Sequence, residues 1–525
     1  MITIAFAVLM ILANSMPLKV NSVRRVAIIG AGGGGLVTAD VLRNDGFEVV
    51  IFEKETYVGG VWKYRKSLDK SSSTPMYKSL RTNLPKQIMA YSDITPFQES
   101  TPSFLSHEEV QTYLEDFTQS RALLPFIKFS STVKSISYVQ NCRNSAAIST
   151  ESSFTSGWKI TTSVATATQT SLKDCTEDVD YFDAVVVCNG HYNIPSIPAE
   201  KVDESNKFDG EVMHSVDYDT PDHFKGKSVL VVGSRSSGTD LAREISSVAS
   251  VVYASDRSLG KEKSALYRNI YHKPGISSLN SKLLSRQSDS PNFLDSTLKS
   301  ISQPLEIDQC GAISNEDTKG LVQFDDGSIV KVDIILWCTG YAYDYPFLDL
   351  DGQKCDQTKE LEAHTVKVTN KRKVENLYQQ IFSISHPTLS FVGLPYAVVP
   401  FPLFRLQALW ISSVYSGIKK LPSKEKQIEW LHNKEKEILM KYQGKEEFAI
   451  EKFHYLGDAQ WEYCRFLSDA AGIVDERQLK YLKVTEEIYN DNSLSKPAYP
   501  GAPDNYRNVE YSLDYQDLTW KKVSF

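Results

Sequence analysis

Two stretches of the chain show the same succession of apolar and polar positions. In the first, an apolar run over Arg25 to Ile29 stops at a glycine, a helical pattern covers Leu36 to Leu42, and a second apolar run spans Glu48 to Phe52. In the second, the run Ser228 to Val232 again stops at a glycine, and a further run spans Val251 to Ala254. A short buried strand that turns at glycine into a helix, and is followed by another strand, is typical of a βαβ unit. The pattern therefore predicts an α/β fold with two such units.

Two longer apolar runs predict central strands. Asp183 to Cys188 and Val332 to Cys338 are continuous rather than alternating, as in strands buried on both faces, and they lead to Gly190 and Gly340. The second run echoes the first, and we expect it to mark the return of the chain to the first domain. Short alternating runs from Phe126 to Thr170 predict a small antiparallel sheet between the two units.

The first glycine turn has the spacing that holds a diphosphate. Gly30, Gly32 and Gly35 stand in G-x-G-x-x-G register. The first glycine permits a tight turn, the second lets a pyrophosphate approach the backbone, and the third lets helix and strand pack closely, with the phosphates at the positive end of the helix. Glu53 ends the next strand about twenty residues further on, where this fold places a carboxylate for a ribose hydroxyl. The predicted dinucleotide contacts are Gly30, Gly32, Gly33, Gly34, Gly35 and Glu53.

The second glycine turn departs from this spacing. Gly233 and Gly238 supply the turn and the close packing, but Arg235 stands where the middle glycine is expected. A cation at this loop suits a phosphate. The next strand ends in Ser255 and Arg257 rather than in an isolated acid, and an arginine there favours the 2′-phosphate of NADP over NAD, against the alternative of a solvated surface arginine. The predicted contacts of this second Rossmann-like unit are Gly233, Ser234, Arg235, Ser236, Ser237, Gly238, Ser255 and Arg257.

Length, charge and cysteine usage limit the classes of function. The chain has 525 residues, enough for two or three domains, and its net charge of −7 comes without a concentrated basic run, which argues against a nucleic-acid partner. None of its seven cysteines forms a C-x-x-C pair, so we expect neither a zinc knuckle nor a redox dithiol. The sequence also contains no N-x-Ser/Thr glycosylation sequon. These features favour a reducing, cytosol-facing compartment.

The N-terminus carries a short apolar segment. Ile2 to Ala13 is uncharged, is too short for a normal membrane span, and lacks the basic region of a signal peptide. An upstream extension, with Met16 as the start, and a weak membrane anchor are equal alternatives, with secretion behind both. We therefore expect a cytoplasmic protein, either free or held through this segment on the cytosolic face of the endoplasmic reticulum.

A further motif indicates a family. Phe208 to Tyr218 matches F-x-G-x-x-x-H-x-x-x-[FY], the identifying sequence of flavin-containing monooxygenases, and it lies between the two glycine loops as it does in that family. The chain resembles this family over residues 24–425. The other similar segments are residues 59–62, 82–83, 338–341 and 345–347. The stretch at residues 399–402, with Gln407, looks closest to the fungal, thiol-oxidising branch.

The resemblance implies an FAD-binding domain interrupted by an NADPH-binding domain. The implied division is residues 1–20, an apolar extension or weak anchor; 21–207, the first part of the FAD domain; 208–330, the NADPH domain; and 331–525, the second part of the FAD domain with a helical C-terminal region. The further residues implied to bind FAD and NADPH are Gly60, Val61, Trp62, Thr82, Asn83, Thr339 and Gly340. Asn83 is the implied catalytic residue, near the flavin and NADP⁺, whereas His214 is implied to be structural and to link the domains.

The resemblance also implies the reaction. NADPH would reduce the flavin, O₂ would add to give a flavin C4a-hydroperoxide, and a soft nucleophile, the sulfur of a thiol or sulfide or the nitrogen of an amine, would take one oxygen atom. Because the cofactor forms the oxidant, the protein supplies binding, orientation and exclusion of water. The expected partners are a small-molecule substrate and O₂, and a homodimer is a further expectation.

Three alternatives stay open. A Baeyer–Villiger monooxygenase acting on ketones has a similar fingerprint that ends in Trp, where Tyr218 stands here. A pyridine nucleotide–disulfide reductase shares the two-nucleotide layout but needs a redox dithiol. A catalytically silent, flavin-binding redox sensor is favoured only by the altered second loop with Arg235. Cys338, in place of an alanine common in the family, is a smaller departure.

Overall fold

Two mainly parallel sheets form the frame of the molecule. The computed structural model describes residues 23–65, 74–92, 95–140, 156–164, 176–257, 263–267, 269–279, 320–349, 365–473, 475–496 and 503–523. In chain order, the strands within these residues are β1 (Arg25–Ile29), β2 (Glu48–Phe52), β3 (Ile127–Lys128), β4 (Ser131–Gln140), β5 (Ser156–Val164), β6 (Thr176–Phe182), β7 (Ala184–Val187), β8 (Ile194–Pro195), β9 (Glu211–His214), β10 (Ser228–Val232), β11 (Val251–Ser255), β12 (Lys263–Tyr267), β13 (Ile270–Lys273), β14 (Ile276–Ser278), β15 (Leu321–Phe324), β16 (Ile329–Lys331), β17 (Ile334–Trp337), β18 (Tyr341–Ala342), β19 (Lys367–Thr369), β20 (Lys373–Glu375), β21 (Leu377–Tyr378), β22 (Phe382–Ser383), β23 (Leu389–Phe391), β24 (Glu510–Asp514) and β25 (Thr519–Val523). The α-helices are α1 (Gly33–Asn44), α2 (Lys86–Met89), α3 (His107–Ser120), α4 (Ala199–Asn206), α5 (Ser236–Ile245), α6 (Pro400–Tyr415), α7 (Lys424–Lys441), α8 (Glu446–Glu451), α9 (Gln460–Ala471) and α10 (Glu476–Ser495).

The first sheet has the strand order β21-β22-β23-β7-β1-β2-β3. β1 pairs in parallel with β2 on one side and with β7 on the other. Because successive side chains of a strand point to opposite faces, alternate residues of β1 enter two different cores. Val26 and Ile28 pack in the core that contains α1, whereas Ala27 and Ile29 pack with the predicted antiparallel sheet, β4-β5-β6. Burial on both faces explains why the run is continuously apolar.

The second sheet has the order β12-β13-β11-β10-β17-β9, with β10 in parallel between β11 and β17. The sequence places the run that contains β17 back in the first domain, and this placement is wrong. β17 pairs with β10 and β9, so the return to the first sheet follows residue 337 and does not occur at residue 331. Both long apolar runs form central parallel strands, and apolar composition does not tell in which sheet such a strand lies.

The second domain is inserted in the first. β7 and β23 are neighbours in the first sheet, although the strands of the second sheet lie between them in the chain. Where the chain leaves and re-enters, β8 and β18 pair as a short antiparallel link. This arrangement is the predicted α/β fold of two Rossmann-like domains, one nested within the other.

The C-terminal region contains helices α7 to α10, as expected, and ends in a hairpin of β24 and β25 that the sequence pattern does not predict. Tyr511 and Leu518 of the hairpin segment are buried in the same core as α1. Within the described residues, no helix has both the length and the apolar composition needed to cross a bilayer. The apolar segment of residues 1–20 lies outside the described residues, so its role stays a prediction.

Candidate active site

The first glycine loop crosses the end of β7 and opens helix α1. Gly30 has a φ of +103°, and a Cβ there would come within 2.8 Å of the carbonyl oxygen of Cys188. A Cβ on Gly35 would overlap the carbonyl of Gly30. Both positions therefore need glycine, the first for the turn and the second for helix packing. Gly32 precedes the helix without a capping side chain among the described residues, which leaves the first helical N–H groups open to an anion.

A second pair of glycines faces this loop. Gly59 donates its N–H to the carbonyl of Ala31 at 3.0 Å. Gly59 and Gly60 have φ values of +107° and +58°, and a Cβ on Gly60 would lie 3.1 Å from Cα of Gly32. A Cβ on Gly32 itself would find its nearest described neighbour at 3.7 Å. The result is a cradle of bare backbone at a helix N-terminus, which fits the diphosphate of FAD.

Glu53 supports the loop from the end of β2. Its carboxylate accepts hydrogen bonds from the N–H of Ala31 at 2.7 Å and from the N–H of Glu55 at 2.9 Å. The side chain is buried, and burial raises the pKa of this carboxyl. Since each carboxylate oxygen can accept more than one bond, the acid that holds the loop retains acceptor capacity for a ribose hydroxyl. The ribose contact itself stays a prediction.

Aromatic side chains surround the start of α1. Tyr91 donates its hydroxyl to the carbonyl of Gly33 at 2.6 Å and stacks on Phe401, with ring centroids 5.0 Å apart. The edge of Trp62 faces Phe401 at 6.5 Å. A Cβ on Gly33 would lie 2.7 Å from the Phe401 ring. The sequence indicates Gly33 and Trp62 but misses Tyr91 and Phe401. For Phe401, the sequence does offer a signal in the Pro-Phe-Pro segment, because proline in a first turn marks where a helix begins and so places Phe401 at the start of α6.

The remaining predicted residues of the first loop lie beside this cradle. Gly60, Val61 and Trp62 form a short 3₁₀ turn, and none of the three is buried. Gly34 lies in the first turn of α1, where a Cβ would stand 3.4 Å from the side chain of Val392, the residue that follows β23. The structure thus brings two separate glycine-containing segments to one helix N-terminus.

Thr82 is buried, and its hydroxyl is used within the protein. The hydroxyl donates to the carbonyl of Leu84 at 2.9 Å and accepts from the N–H of Leu105 at 2.9 Å. Its own N–H donates to the carbonyl of Leu105 at 2.8 Å. These bonds hold the loop that carries Asn83. Thr82 therefore shapes the site, and its direct contact with a cofactor stays a prediction.

Asn83 joins the two cofactor loops. Its Nδ2 donates a hydrogen bond to Oγ of Ser236 at 3.0 Å. Ser236 is the first residue of α5 and belongs to the second glycine loop. On the other side, Asn492 of α10 donates to the carbonyl of Asn83 at 3.1 Å. The residue predicted to be catalytic in the first domain therefore lies against the predicted cofactor loop of the second.

The second loop has the geometry of the first without its middle glycine. Gly233 has a φ of +110°, and a Cβ there would lie 2.6 Å from the carbonyl oxygen of Cys338. A Cβ on Gly238 would overlap the carbonyl of Gly233 and would stand 3.4 Å from Cβ of Cys338, so a small residue at position 338 is needed and cysteine fits. Arg235 precedes α5 with a φ of −81°, which any residue adopts. The carbonyl of Ser234 accepts a threonine hydroxyl from α5 at 2.9 Å. The arginine therefore leaves the turn intact.

The opening of α5 fits the phosphates of NADPH. Arg235, Ser236 and Ser237 are exposed there, and no side chain of the described residues caps the helix. The guanidinium of Arg235 lies over the rings of Tyr396 and Tyr455, at 5.8 and 5.5 Å from their centroids. Open helical N–H groups, two hydroxyls and a cation held on aromatic rings form a suitable donor set for phosphate.

Ser255, the last residue of β11, and Arg257, two residues further on, differ in how well their polar groups can reach a ligand. The hydroxyl of Ser255 is buried and donates to the carbonyl of Pro274 at 2.6 Å. Arg257 keeps 58% of its side chain exposed and lies 3.6 Å from the carboxylate of Glu451. Arg257 is thus the residue of this pair that can reach a 2′-phosphate, with Glu451 as a competing partner.

His214 bonds the end of β9 to the segment by which the chain returns to the first domain. The N–H of Val216 donates to its Nδ1 at 3.2 Å, so Nε2 carries the proton and donates to the carbonyl of Gly340 at 3.1 Å. Burial lowers the pKa of His214 to about 4. A neutral imidazole with both nitrogens engaged is not free to act as a base, which agrees with the structural role that the resemblance implies.

Thr339 and Gly340 lie at the same link, just after β17. The hydroxyl of Thr339 donates to the carbonyl of Ser196 at 2.5 Å, and Arg372 donates to the carbonyl of Thr339 at 3.3 Å. Gly340 has a φ of +80° where the chain turns into β18. These polar groups form hydrogen bonds within the link between the domains, and their contact with a cofactor stays a prediction.

Comparison with known proteins agrees with this geometry. The family described as flavin-binding monooxygenase-like matches residues 23–271 and 311–470, and the pyridine nucleotide-disulphide oxidoreductase family matches residues 175–383. The flavin-containing monooxygenase FMO GS-OX-like 4 of Arabidopsis thaliana is 32% identical over 495 residues, which cover 90% of this chain and 92% of that protein.

Solved structures show the same architecture. S-allyl-L-cysteine S-oxygenase from Allium sativum is 29% identical, with a TM-score of 0.67 over 94% of this chain and 96% of that chain. Tmm from Pelagibacter sp. strain HTCC7211 has a TM-score of 0.65 at 22% identity, over 94% of this chain and 95% of that one, and this likeness shows the fold alone. The family match covers well over half of the chain, and both cofactor cradles fit their groups. The chain therefore belongs to the flavin-binding monooxygenase family and is an oxidoreductase that uses FAD and NADPH.

Proposed function

We propose that this monooxygenase transfers one oxygen atom of O₂ to a soft nucleophile, through a flavin C4a-hydroperoxide formed with electrons from NADPH. The observation that carries the proposal is the hydrogen bond between Asn83 and Ser236. It joins the loop beside the FAD cradle to the loop that opens the NADPH-binding helix. A residue held between the two cofactor loops can contact groups of both cofactors at once.

The residues of the chain bind the cofactors, orient the substrate and exclude water from the reaction. FAD, when bound, supplies the redox and oxygen chemistry. Gly32 and Gly60 offer a backbone cradle to its diphosphate, and Arg257 is the proposed partner of the 2′-phosphate of NADPH. Asn83 is the proposed catalytic residue because its half-buried amide can donate a hydrogen bond to an oxygen atom held near the flavin.

The proposed reaction needs no general base from the link between the domains. His214 is neutral and both of its ring nitrogens are engaged. A sulfide carries a free lone pair at any pH, and an amine does so once it has lost its proton to solvent, so the protein needs to place the substrate and exclude water rather than to act as a base.

Sulfur is the first candidate for the oxidised atom. The Allium sativum protein is described as an S-oxygenase of S-allyl-L-cysteine, and the similarity covers 94% of this chain and 96% of that one. We propose a small thioether or thiol as the substrate class, with amine nitrogen as the second candidate. Oxidation of a ketone has weaker support, since Tyr218, rather than Trp, ends the fingerprint and packs edge-on against Tyr77 at 5.5 Å.

The test uses the full chain loaded with FAD. NADPH consumption under ¹⁸O₂ is measured alone and with an S-alkyl cysteine, a trialkylamine or cyclohexanone, and the products are identified by mass spectrometry. We expect a sulfoxide that carries one ¹⁸O atom, in proportion to the NADPH consumed. A labelled lactone would replace the proposal with Baeyer–Villiger chemistry. Peroxide alone, with no labelled product from any of the three, would favour the silent redox sensor.

A further inference from the structure

The last helix, α10, and the segment after it hold the junction of the two cofactor loops. We propose that Arg507 and Asn492 are positioning residues for the reaction, which together set Asn83 against Ser236. The inference rests on the proposed function only through the role of Asn83. Both positioning residues lie beyond residue 470, where the family match ends.

Arg507 bonds to both domains. It is only 4% exposed, and its Nε donates to the carbonyl of Thr82 at 3.0 Å. Its Nη1 and Nη2 donate to the two carboxylate oxygens of Asp240, at 3.0 and 2.7 Å. Asp240 belongs to α5, the helix that opens at the NADPH loop. A single planar guanidinium therefore ties the loop of Asn83 to this helix, with the geometry that a bidentate arginine–carboxylate pair requires.

These bonds close a ring around the junction. Ser236 and Asp240 are four residues apart on α5, and therefore lie on one face of the helix. Thr82 and Asn83 are adjacent in the first loop. Asn83 contacts Ser236 directly, while Arg507 connects Thr82 to Asp240. A shift of α5 along its axis would break both connections at once, so the ring sets the register of the two loops.

Asn492 holds the same loop from the side of α10. It is fully buried, and its Nδ2 donates to the carbonyl of Asn83 at 3.1 Å. Its Oδ1 has no hydrogen-bond partner within the described residues. A buried amide oxygen without a partner lowers stability, so stability alone does not account for an asparagine at this position.

Because of the surrounding charges, we expect a neutral replacement of Arg507 to leave the chain folded. Asp240 also pairs with Arg243 at 2.6 Å, and Arg507 also pairs with Asp504 at 3.2 Å. Burial opposes the charge of Arg507, but Asp240 outweighs burial and the pKa of the guanidinium is raised. Because Arg243 still neutralises Asp240 when Arg507 is absent, a neutral variant leaves no isolated carboxylate there.

The test is the rate of anaerobic FAD reduction by NADPH in the holoenzyme, measured by stopped flow. In Arg507→Met we expect reduction at saturating NADPH to be at least tenfold slower, with FAD content and thermal midpoint close to wild type. Asn492→Leu should act in the same direction. Arg477→Met is the matched control, since Arg477 donates to carbonyls of the C-terminal hairpin segment from the start of α10, about 22 Å along the helix from Asn492.

Amide hydrogen exchange in the absence of NADPH gives a second measurement that does not depend on turnover. We expect exchange in peptides over residues 80–90 and 234–246 to accelerate at least tenfold in Arg507→Met and Asn492→Leu, with no change over β1 and β2. Reduction and exchange at wild-type rates in both variants would overturn the inference. Faster exchange throughout the chain would also overturn it, because the residues would then serve only global stability.

The two proposals can fail separately. If the wild-type protein reduces FAD with NADPH but oxygenates no sulfide or amine, the proposed substrate class fails while the positioning test still applies. If Arg507→Met reduces FAD at the wild-type rate while sulfoxide forms, the positioning role fails alone.

Discussion

Nδ2 of Asn83 lies 3.0 Å from Oγ of Ser236, although the two residues belong to loops of different domains. Asn83 sits on a loop pinned by the buried hydroxyl of Thr82, and Ser236 opens a helix whose N-terminal N–H groups are uncapped within the described residues. The pair therefore fixes an amide donor at the place where the two predicted cofactor loops meet. Hydrogen-bond donors held in this way can stabilise developing charge without reorganising during the reaction.

The first prediction concerns this amide. Asn83→Ala should retain FAD, because the cradle at Gly32 and Gly60 is untouched, and should lose product formed per NADPH consumed by about 10²-fold, the usual effect of removing one preorganised donor. Product and peroxide are measured together with NADPH oxidation. Asn44→Ala, at the end of α1, is the control and should leave the ratio unchanged. A wild-type product yield in Asn83→Ala would remove Asn83 from the reaction.

A second prediction separates NADPH from NADH. Arg257→Ala should raise KM for NADPH by about tenfold, the loss expected for one charge-assisted contact worth roughly 1–2 kcal/mol, with KM for NADH little changed. Glu451→Gln should lower KM for NADPH, since the carboxylate 3.6 Å from Arg257 competes with the phosphate. Steady-state kinetics with both nucleotides test this, with Arg465→Ala as a surface control. Equal shifts for the two nucleotides would contradict the 2′-phosphate assignment.

A third prediction distinguishes two glycines of the first loop. Gly35→Ala should destabilise the fold by about 2–3 kcal/mol, because its methyl group overlaps the carbonyl of Gly30. Gly32→Ala should fold normally, since the nearest described atom to its Cβ is 3.7 Å away, but it should bind FAD more weakly because the methyl group points into the cradle. Thermal unfolding of the apoprotein and FAD titration separate the two effects. If Gly32→Ala binds FAD as tightly as wild type, the diphosphate does not lie at this helix.

A fourth prediction concerns pH. Burial lowers the pKa of His214 to about 4, whereas an unfolded histidine titrates near 6.5. Below pH 6.5 the unfolded chain binds the proton and the folded chain does not. The stability from His214 is therefore complete above pH 6.5 and is lost as the pH falls towards 4.

Between pH 7.5 and 5.5 the wild-type protein should consequently lose about 1.4 kcal/mol of unfolding free energy more than His214→Gln does. Urea unfolding at both pH values measures the difference. His432→Gln, an exposed position on α7, should follow the wild type. Parallel pH profiles of wild type and His214→Gln would show that folding does not lower the pKa of this histidine.

The local features of the two βαβ units could be predicted from the sequence because each depends on residues close together in the chain. A glycine at position 30 or 233 is needed for a turn within its own loop, and the burial of β1 on both faces produces a continuous apolar run. Arg235 departs from the local glycine pattern, and only the backbone shows that the turn tolerates it, since an extended residue with a φ of −81° accepts any side chain. Family resemblance added the cofactors and the choice of Asn83.

Contacts between distant segments were decided by the tertiary structure. The apolar run of β17 is the same in composition as that of β7, and only pairing with β10 shows that it belongs to the second sheet. Arg507 and Asn492 carry no motif, because their roles come from where α10 and the final segment pack against loops of both domains. By itself the sequence determined two glycine loops that suit dinucleotides, with NADP favoured over NAD at the second. Their meeting at Asn83 and Ser236 depends on packing between segments far apart in the chain, which local pattern does not encode.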